Sequence, residues 1–257
     1  MKLLELNKIY CIDNVDGMKL LDDESVDLTV TSPPYDDMRN YNGFKWDFEG
    51  VANQLYRVTK KGGVVIWVVG DKTFKGSETG TSFRQALYFM DLGFNCETMI
   101  YKKNGTGACG SNWYYWQTFE YMFVLSKGKP NTINRLDNGK QRTKGGIKLG
   151  RLTVDGKQKI EKRSSEKDKL QIRNNIWEYN VGFCSGDDKV KHPAKFPEQL
   201  AQDHILSWSK EGDIVLDPFM GSGTTAKMAK LNNRNYIGFE LSQEYCNIAE
   251  KRLKIVE

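Results

Sequence analysis

The chain has 257 residues, of which 39% are hydrophobic, 28% charged and 12% aromatic, with a net charge of +5. This composition is that of one α/β domain with an insertion or of two small domains, and it excludes a disordered or collagen-like chain. Five Cys without a CxxC pair, only two His and no membrane-length apolar run favour a cytoplasmic protein with reduced thiols, no metal and no membrane partner.

Short β-rich runs alternate with helical stretches along the first half of the chain, which is typical of βαβ folds. The predicted elements are strands at 8–13, 26–31 and 63–70, a helix at 83–94, and strands at 97–103 and 119–128. Regular alternation returns as a helix at 197–210, a strand at 213–219, a helix at 224–232, a strand at 235–240 and a final helix from Ser242. We expect a doubly wound, mostly parallel, Rossmann-like sheet built from 1–128 and 186–257.

The segment 129–185 lacks clear periodicity and is predicted to be an insertion. From Lys127 to Arg173 there are 15 Lys or Arg against 5 Asp or Glu, so the rest of the chain carries a net charge of −5. A polyanion such as nucleic acid suits this segment, because neutralised phosphates release their counterions. A solvated basic insertion without a partner is the alternative.

The predicted strand 26–31 runs directly into Ser32, Pro33, Pro34 and Tyr35. Ligands bind at the carboxyl ends of strands in open α/β sheets, and the two prolines stiffen the chain there. A fixed Ser32 hydroxyl and nearby carbonyl oxygens can accept from an exocyclic amine, while Tyr35 can stack on a base rotated out of a duplex. A plain Pro-Pro-Tyr turn or a polyproline ligand is the alternative.

The sequence IVLDPFMGSGTTAKMAK places an acid, Asp217, between an apolar strand and a Gly-rich turn that opens a helix. It lacks the Lys of a phosphate-binding P-loop and the third Gly of the dinucleotide fingerprint. A carboxylate suits a ligand with an ammonium or sulfonium charge, and S-adenosylmethionine (SAM) carries both. Glu240 ends the next predicted strand, where a carboxylate can accept from ribose hydroxyls. A tight turn with a helix cap at Ser222 or Thr224 would explain the glycines but not the paired acids.

The order VTSPPY, then HPAKFPEQL at 192–200, then LDPFMGSGTT resembles the permuted β class of DNA amino-methyltransferases. The resemblance implies a target-base pocket at Ser32, Pro33, Pro34 and Tyr35. It also implies a SAM site, with S-adenosylhomocysteine as product, at Asp13, His192, Lys195, Asp217, Pro218, Phe219, Gly221, Gly223, Thr224 and Glu240. The family's segment at 192–197 more commonly reads HPTQKP, and His192 could equally begin the following helix.

The residue before Pro-Pro-Tyr divides the family by its target base. Adenine enzymes usually have Asp or Asn there, so Ser32 favours N4 of cytosine, with N6 of adenine as the alternative. Methylation of the cytosine ring carbon needs a Cys nucleophile beside this motif, and the sequence has none there.

The resemblance makes 129–185 a target-recognition insertion for double-stranded DNA. It leaves open a homodimer and a companion restriction endonuclease. A Gly-rich and aromatic segment at 104–115 could pack on DNA or form a surface turn, and Asp36, Asp37 and Arg39 could shape the base pocket or be ordinary loop charges. Methylation of an RNA or protein amine, and a DNA-binding module without catalysis, are the competing functions.

Overall fold

The computed structural model describes residues 4–35, 46–104, 113, 115–141, 147–152, 158–162, 170–180 and 197–256. The chain forms two compact units, one made of Met1–Asn134 with Asn175–Glu257 and the other of Arg135–Asn174.

The first unit is built on one eight-stranded sheet. In spatial order its strands are β1 (Lys8–Cys11), β14 (Asn235–Glu240), β13 (Ile214–Asp217), β2 (Val26–Thr31), β3 (Thr59–Val69), β7 (Phe119–Ser126), β6 (Asn95–Asn104) and β12 (Ile176–Asn180). Strand β7 runs antiparallel to β3 and β6, and all the other neighbours pair in parallel. A small hairpin, β4 (Thr73–Phe74) with β5 (Ser77–Glu78), follows β3.

Helices cover both faces of this sheet. They are α1 (Asn14–Lys19), α2 (Phe48–Val58), α3 (Thr81–Asp91), α4 (Glu198–Trp208), α5 (Thr224–Leu231) and α6 (Gln243–Lys254). On one face, Met18 of α1, Leu55 of α2 and Phe89 of α3 join a buried cluster with Trp67 and Phe123 of the sheet. Side chains alternate along a strand, so the neighbouring Val68 and Met122 face the other side.

Helix α4 covers that second face, where the His204 ring lies 3.3 Å from the sulfur of Met122. Burial lowers the pKa of His204 to about 3, so this histidine is neutral in the core. Helices α5 and α6 continue the layer, since Lys227 of α5 and Arg252 of α6 both pair with Glu198 of α4 at 2.7 Å. A mostly parallel sheet with helices on both faces confirms the predicted fold class.

The second unit contains two antiparallel strand pairs, β8 (Asp137–Gln141) with β11 (Leu170–Ile172) and β9 (Ile147–Leu152) with β10 (Gln158–Lys162). It is shorter than the predicted insertion 129–185, because β12 pairs with β6 as part of the central sheet. The target-recognition role of this segment stays a prediction.

Each helix within the described ranges is too short or too polar to cross a lipid bilayer. The same ranges do not bring three His, Cys, Asp or Glu side chains together as a metal site would require.

Candidate active site at the carboxyl edge of the sheet

The predicted catalytic motif begins where β2 ends. Ser32 follows Thr31 directly, and the segment 32–35 continues without regular structure, with Pro33 buried. The Ser32 hydroxyl lies 2.9 Å from the hydroxyl of Tyr35, so the two residues that flank the prolines are joined. The structure therefore brings the predicted base-pocket residues together at one strand end.

Glu120 lies beside this motif and was not predicted from the sequence. The Tyr35 hydroxyl donates a hydrogen bond to Glu120 Oε2 at 2.8 Å, and the Tyr101 hydroxyl donates one to the same oxygen at 2.5 Å. Lys103 pairs with the other carboxylate oxygen. Because β7 is antiparallel to β3, its first residues reach the edge where β2 and β3 end. The available signal was a single charged residue in the strand FEYMFVLS.

The hydroxyl of Tyr35 remains protonated in this setting. Its removal from water raises the pKa of Tyr35 well above its usual range, and the nearby Glu120 carboxylate raises it further. Tyr35 is therefore a hydrogen-bond donor at physiological pH.

The Gly-rich turn predicted as the cofactor site occupies residues 217–224, which we call the cofactor corner. Asp217 ends β13 and is buried. Its Oδ1 accepts from the Thr31 hydroxyl at 2.7 Å and from the Phe219 N–H at 3.0 Å. Burial raises the pKa of Asp217 from 3.8 to about 6, although these hydrogen bonds oppose the shift.

Glu240, the last residue of β14, closes the cofactor corner from the neighbouring strand. Its Oε2 accepts from the Gly221 N–H and its Oε1 from the Ser242 N–H, both at 2.8 Å. Burial also raises the pKa of Glu240. Each carboxylate oxygen has a second lone pair, so both can still accept from a ligand hydroxyl.

Arg252 of α6 donates hydrogen bonds to the turn of the cofactor corner, and this residue was not predicted from the sequence. Its Nη1 donates to the Ser222 carbonyl oxygen at 2.6 Å and to the Ser222 hydroxyl at 2.9 Å. Its Nη2 donates to Glu198 at 2.7 Å. Thr224 begins α5 directly after Gly223, which has a left-handed φ of 82°.

Aromatic rings line one side of the cofactor corner. Phe219, directly after the buried Pro218, packs edge-on against Trp46 with ring centroids 5.1 Å apart. The ring centroid of Trp67 in β3 lies 6.1 Å from that of Trp46 and 6.3 Å from that of Phe219. Phe219 was predicted from the sequence, whereas Trp46, which lies outside any motif, was not.

Asp13 lies at the same edge, two residues beyond β1. Its carboxylate accepts from the N–H groups of Val15 and Asp16 at 2.9 and 3.2 Å, and so it caps α1. The preceding Ile12 N–H donates to the Glu240 carbonyl oxygen at 3.0 Å, which keeps Asp13 beside the end of β14. A role for Asp13 near an adenine ring stays a prediction.

The remaining predicted site residues, His192 and Lys195, lie outside the described residues, as do Asp36, Asp37, Arg39 and most of 104–115. Of the motif at 192–200, the structure describes Pro197 and the start of α4.

A mostly parallel sheet with helices on both faces, and with acids and a Gly-rich turn at the carboxyl ends of its strands, defines a Rossmann-like α/β protein with a ligand site at that edge. The model of the DNA methylase family N6_N4_Mtase matches residues 26–251, so the chain belongs to this family of DNA amino-methyltransferases. The resemblance inferred from the three motifs is confirmed.

One curated relative is similar to this chain in sequence, and two solved structures are similar to it in fold. The orphan methyltransferase M.BamHII of Bacillus amyloliquefaciens is 58% identical over 243 residues, which cover 90% of this chain and 90% of M.BamHII. The PvuII DNA methyltransferase (cytosine-N4-specific) has a TM-score of 0.67 at 18% identity, covering 97% of this chain and 90% of its own. The M1.HpyAVI–SAM complex has a TM-score of 0.62 at 24% identity, covering 96% and 99%. These two structures share the fold of this chain.

Proposed function

We propose that this protein transfers a methyl group from SAM to the exocyclic amine of a base flipped out of double-stranded DNA, with N4 of cytosine as the favoured acceptor. The observation that carries the proposal is the hydrogen bond from Thr31 to Asp217. It fixes the last residue before the Ser-Pro-Pro-Tyr motif to the first acid of the cofactor corner. Base pocket and methyl donor would therefore adjoin, as transfer requires.

The cofactor corner fits SAM by its donor and acceptor set. The Asp217 carboxylate suits the positively charged methionine part, and Glu240 has lone pairs for two ribose hydroxyls. Pro218, Phe219, Gly221, Gly223 and Thr224 would line the same site, with Asp13 near the adenine and His192 and Lys195 in the segment that closes over the cofactor. SAM supplies an electrophilic methyl group.

The protein's part in the reaction is to orient the amine. An exocyclic amine is a weak nucleophile, because its lone pair is conjugated with the ring. The Ser32 hydroxyl oxygen and backbone carbonyls can accept its N–H bonds and draw the lone pair out of conjugation. Pro33 and Pro34 hold these acceptors in place, and Tyr35 can stack on the base. No covalent bond to the enzyme is required.

The choice of base rests on Ser32. A Ser before Pro-Pro-Tyr supports N4 of cytosine, and N6 of adenine is the second candidate. The basic segment 127–173 supports DNA as the partner, since its excess of Lys and Arg suits phosphate contacts. Target recognition by this segment, the homodimer, the companion endonuclease and the cytoplasmic location stay predictions.

The test is to incubate the protein with duplex DNA of varied sequence and SAM, digest the DNA to nucleosides and identify the products by mass spectrometry. We expect 4-methylcytosine. 6-Methyladenine would retain the site but overturn the base preference, and the absence of methylated nucleosides would overturn the proposal and direct the search to RNA and protein amines.

A pair of serines that bracket β2 supplies a matched control. Ser32 follows the strand at the site, whereas Ser25 precedes it at the opposite end and bonds only the local Asp22 carbonyl oxygen among the hydrogen bonds described. Ser32→Ala should lose most transfer and Ser25→Ala should retain it. Equal activities would remove the Ser32 hydroxyl from the mechanism.

A further inference from the structure

The contacts of Glu120 determine which way hydrogen bonds run at the catalytic motif. Between Ser32 and Tyr35 the two hydroxyl oxygens are 2.9 Å apart, and either oxygen could donate. The direction matters, because a Ser32 hydroxyl that donates to Tyr35 keeps its lone pairs for a substrate. A Ser32 oxygen that accepts from Tyr35 presents its proton instead.

The direction of the hydrogen bond between Ser32 and Tyr35 follows from the number of protons that each group carries. The Glu120 carboxylate is paired with the Lys103 ammonium, and an ionised carboxylate accepts hydrogen bonds but has no proton to donate. Tyr35 lies 2.8 Å from Glu120 Oε2 and has a single hydroxyl proton, so that proton is directed at Glu120. The phenol keeps this proton, because burial and the Glu120 charge raise the pKa of Tyr35.

Ser32 must then donate to Tyr35, since the Tyr35 oxygen has only lone pairs left to offer. We propose that Glu120 is a positioning residue, which acts through Tyr35 to make the Ser32 oxygen an acceptor aimed at an amine N–H. The chain of hydrogen bonds runs from the substrate amine to Ser32, Tyr35 and Glu120. This inference rests on the proposed function, because the amine is the proposed substrate.

A Gln at position 120 reverses the chain. Lys103 has only donors, so the Gln carbonyl oxygen would turn toward it and the amide N–H₂ toward Tyr35. Tyr35 would accept from the amide and donate to Ser32. The Ser32 proton would then face the amine, which also carries protons. Glu120→Gln preserves size and shape, so the change is mainly one of direction.

Tyr101 provides the matched control. It donates to the same Glu120 oxygen as Tyr35, but no described hydrogen bond joins it to Ser32. Tyr101→Phe removes one donor from Glu120 and leaves the chain from Ser32 through Tyr35 intact. Tyr35→Phe removes the middle of the chain with the loss of one oxygen.

The experiment is a double-mutant cycle on methyl transfer to duplex DNA, with kcat, KM for DNA and SAM affinity measured for each protein. We expect Glu120→Gln and Tyr35→Phe each to lower kcat about tenfold or more, with KM and SAM affinity within about twofold of the wild type. Tyr101→Phe should lower kcat by less than about threefold. Because Glu120 acts through Tyr35, adding Glu120→Gln to Tyr35→Phe should change kcat by no more than about twofold.

Three results overturn the inference: wild-type kcat in Glu120→Gln, losses that multiply in the double variant, or an equal loss in Tyr101→Phe. If Glu120→Gln fails to fold, Tyr35→Phe still decides, since full kcat in that variant contradicts the chain. A wild-type protein without transfer to DNA overturns the proposed function and this inference with it. Wild-type transfer with an unaffected Glu120→Gln overturns this inference alone.

Discussion

The hydroxyl of Thr31 donates a hydrogen bond of 2.7 Å to Oδ1 of Asp217, across 186 positions of sequence. Both side chains are buried. The last residue of β2 therefore fixes the carboxylate at the end of β13, and the strand that leads into the predicted base pocket orients the acid that would face the cofactor. A buried carboxylate without this donor would keep the cost of desolvation and lose part of its compensation.

Replacing Thr31 with Val should weaken both the fold and the cofactor site. The side chains have the same shape, but the change removes the buried Thr31 donor and leaves Asp217 with the Phe219 N–H, which should cost about 1–3 kcal/mol of unfolding free energy. SAM affinity should fall as well. Denaturant unfolding and calorimetric titration with SAM measure the two effects.

Thr29→Val is the control for this substitution. Thr29 is buried in the same strand, and its hydroxyl has no hydrogen-bond partner among the described residues. Its replacement should leave stability unchanged or raise it, with SAM affinity unaffected. Similar behaviour of the two variants would contradict a specific role for the bond between Thr31 and Asp217.

SAM affinity should depend on pH through Asp217. The pKa of this carboxyl is raised to about 6, so acidification through that value neutralises the charge that would face the cofactor. Affinity should fall by up to about tenfold for each pH unit below the pKa. Glu240 also has a raised pKa, so Asp217→Asn is needed to separate the two. In SAM titrations at several pH values, the affinity of Asp217→Asn should depend less on pH than that of the wild type.

The stability of the protein without SAM should show the opposite trend. The folded pKa of Asp217 lies above its ordinary value of 3.8, so the folded state binds this proton more tightly than the unfolded state. Its contribution to unfolding free energy therefore rises as pH falls from about 6 toward about 4.

A SAM affinity that is flat across this range in the wild type would refute the assignment of Asp217 to the cofactor's charge.

Arg252→Lys should loosen the cofactor corner. A Lys ammonium cannot bond the Ser222 carbonyl, the Ser222 hydroxyl and Glu198 together as the guanidinium does. We expect a loss of about 2 kcal/mol in unfolding free energy and a weaker affinity for SAM. Thermal unfolding and SAM titration measure these effects.

Arg234→Lys is a matched control, because Arg234 also donates hydrogen bonds to both the hydroxyl and the carbonyl oxygen of one serine. Its Nη2 donates to the Ser209 carbonyl oxygen at 2.7 Å and its Nε to the Ser209 hydroxyl at 3.0 Å, before β13 begins. This variant should lose stability but bind SAM normally. Equal SAM affinity in both variants would show that Arg252 does not support cofactor binding.

DNA binding should depend on salt through the basic segment. Arg135 and Lys140 are exposed in the second unit, and each phosphate contact contributes about 0.9 to the slope of log K against log salt. Replacing both with Gln should lower the slope by up to about two, whereas Lys254→Gln on α6 should not change it. Binding titrations at several salt concentrations test this, and a slope unchanged by the pair would place the DNA elsewhere.

Local sequence was sufficient for the parts of the fold and site that one strand and its following turn create. Strand β2 was predicted with its observed bounds, Val26–Thr31, because its β-rich run leads directly into Ser32 and two prolines. Asp217 and Glu240 were found for the same reason, since each is an acid that ends an apolar strand.

Contacts between distant segments could not be predicted this way. Glu120 joins the site because β7 runs antiparallel to β3, and Arg252 because α6 packs behind the turn at Ser222. Strand β12 is short and lies within the segment 129–185, which lacks clear periodicity, so its pairing with β6 decides its place. The capping of α1 by the Asp13 carboxylate is a local contact, and it too was not predicted from the sequence.

Gly223→Ala should cost more than Gly212→Ala, although both glycines have nearly the same left-handed φ, 82° and 83°. The conformation alone should cost about 1–2 kcal/mol at either position. A Cβ on Gly212 would meet no described atom within 4 Å, whereas one on Gly223 would lie 2.8 Å from the Cβ of Ala249. The overlap should add about 1–3 kcal/mol, and it should push the cofactor corner away from α6. Unfolding and SAM titration should therefore show a larger loss and weaker binding for Gly223→Ala alone, and equal losses with unchanged SAM affinity would contradict this packing role.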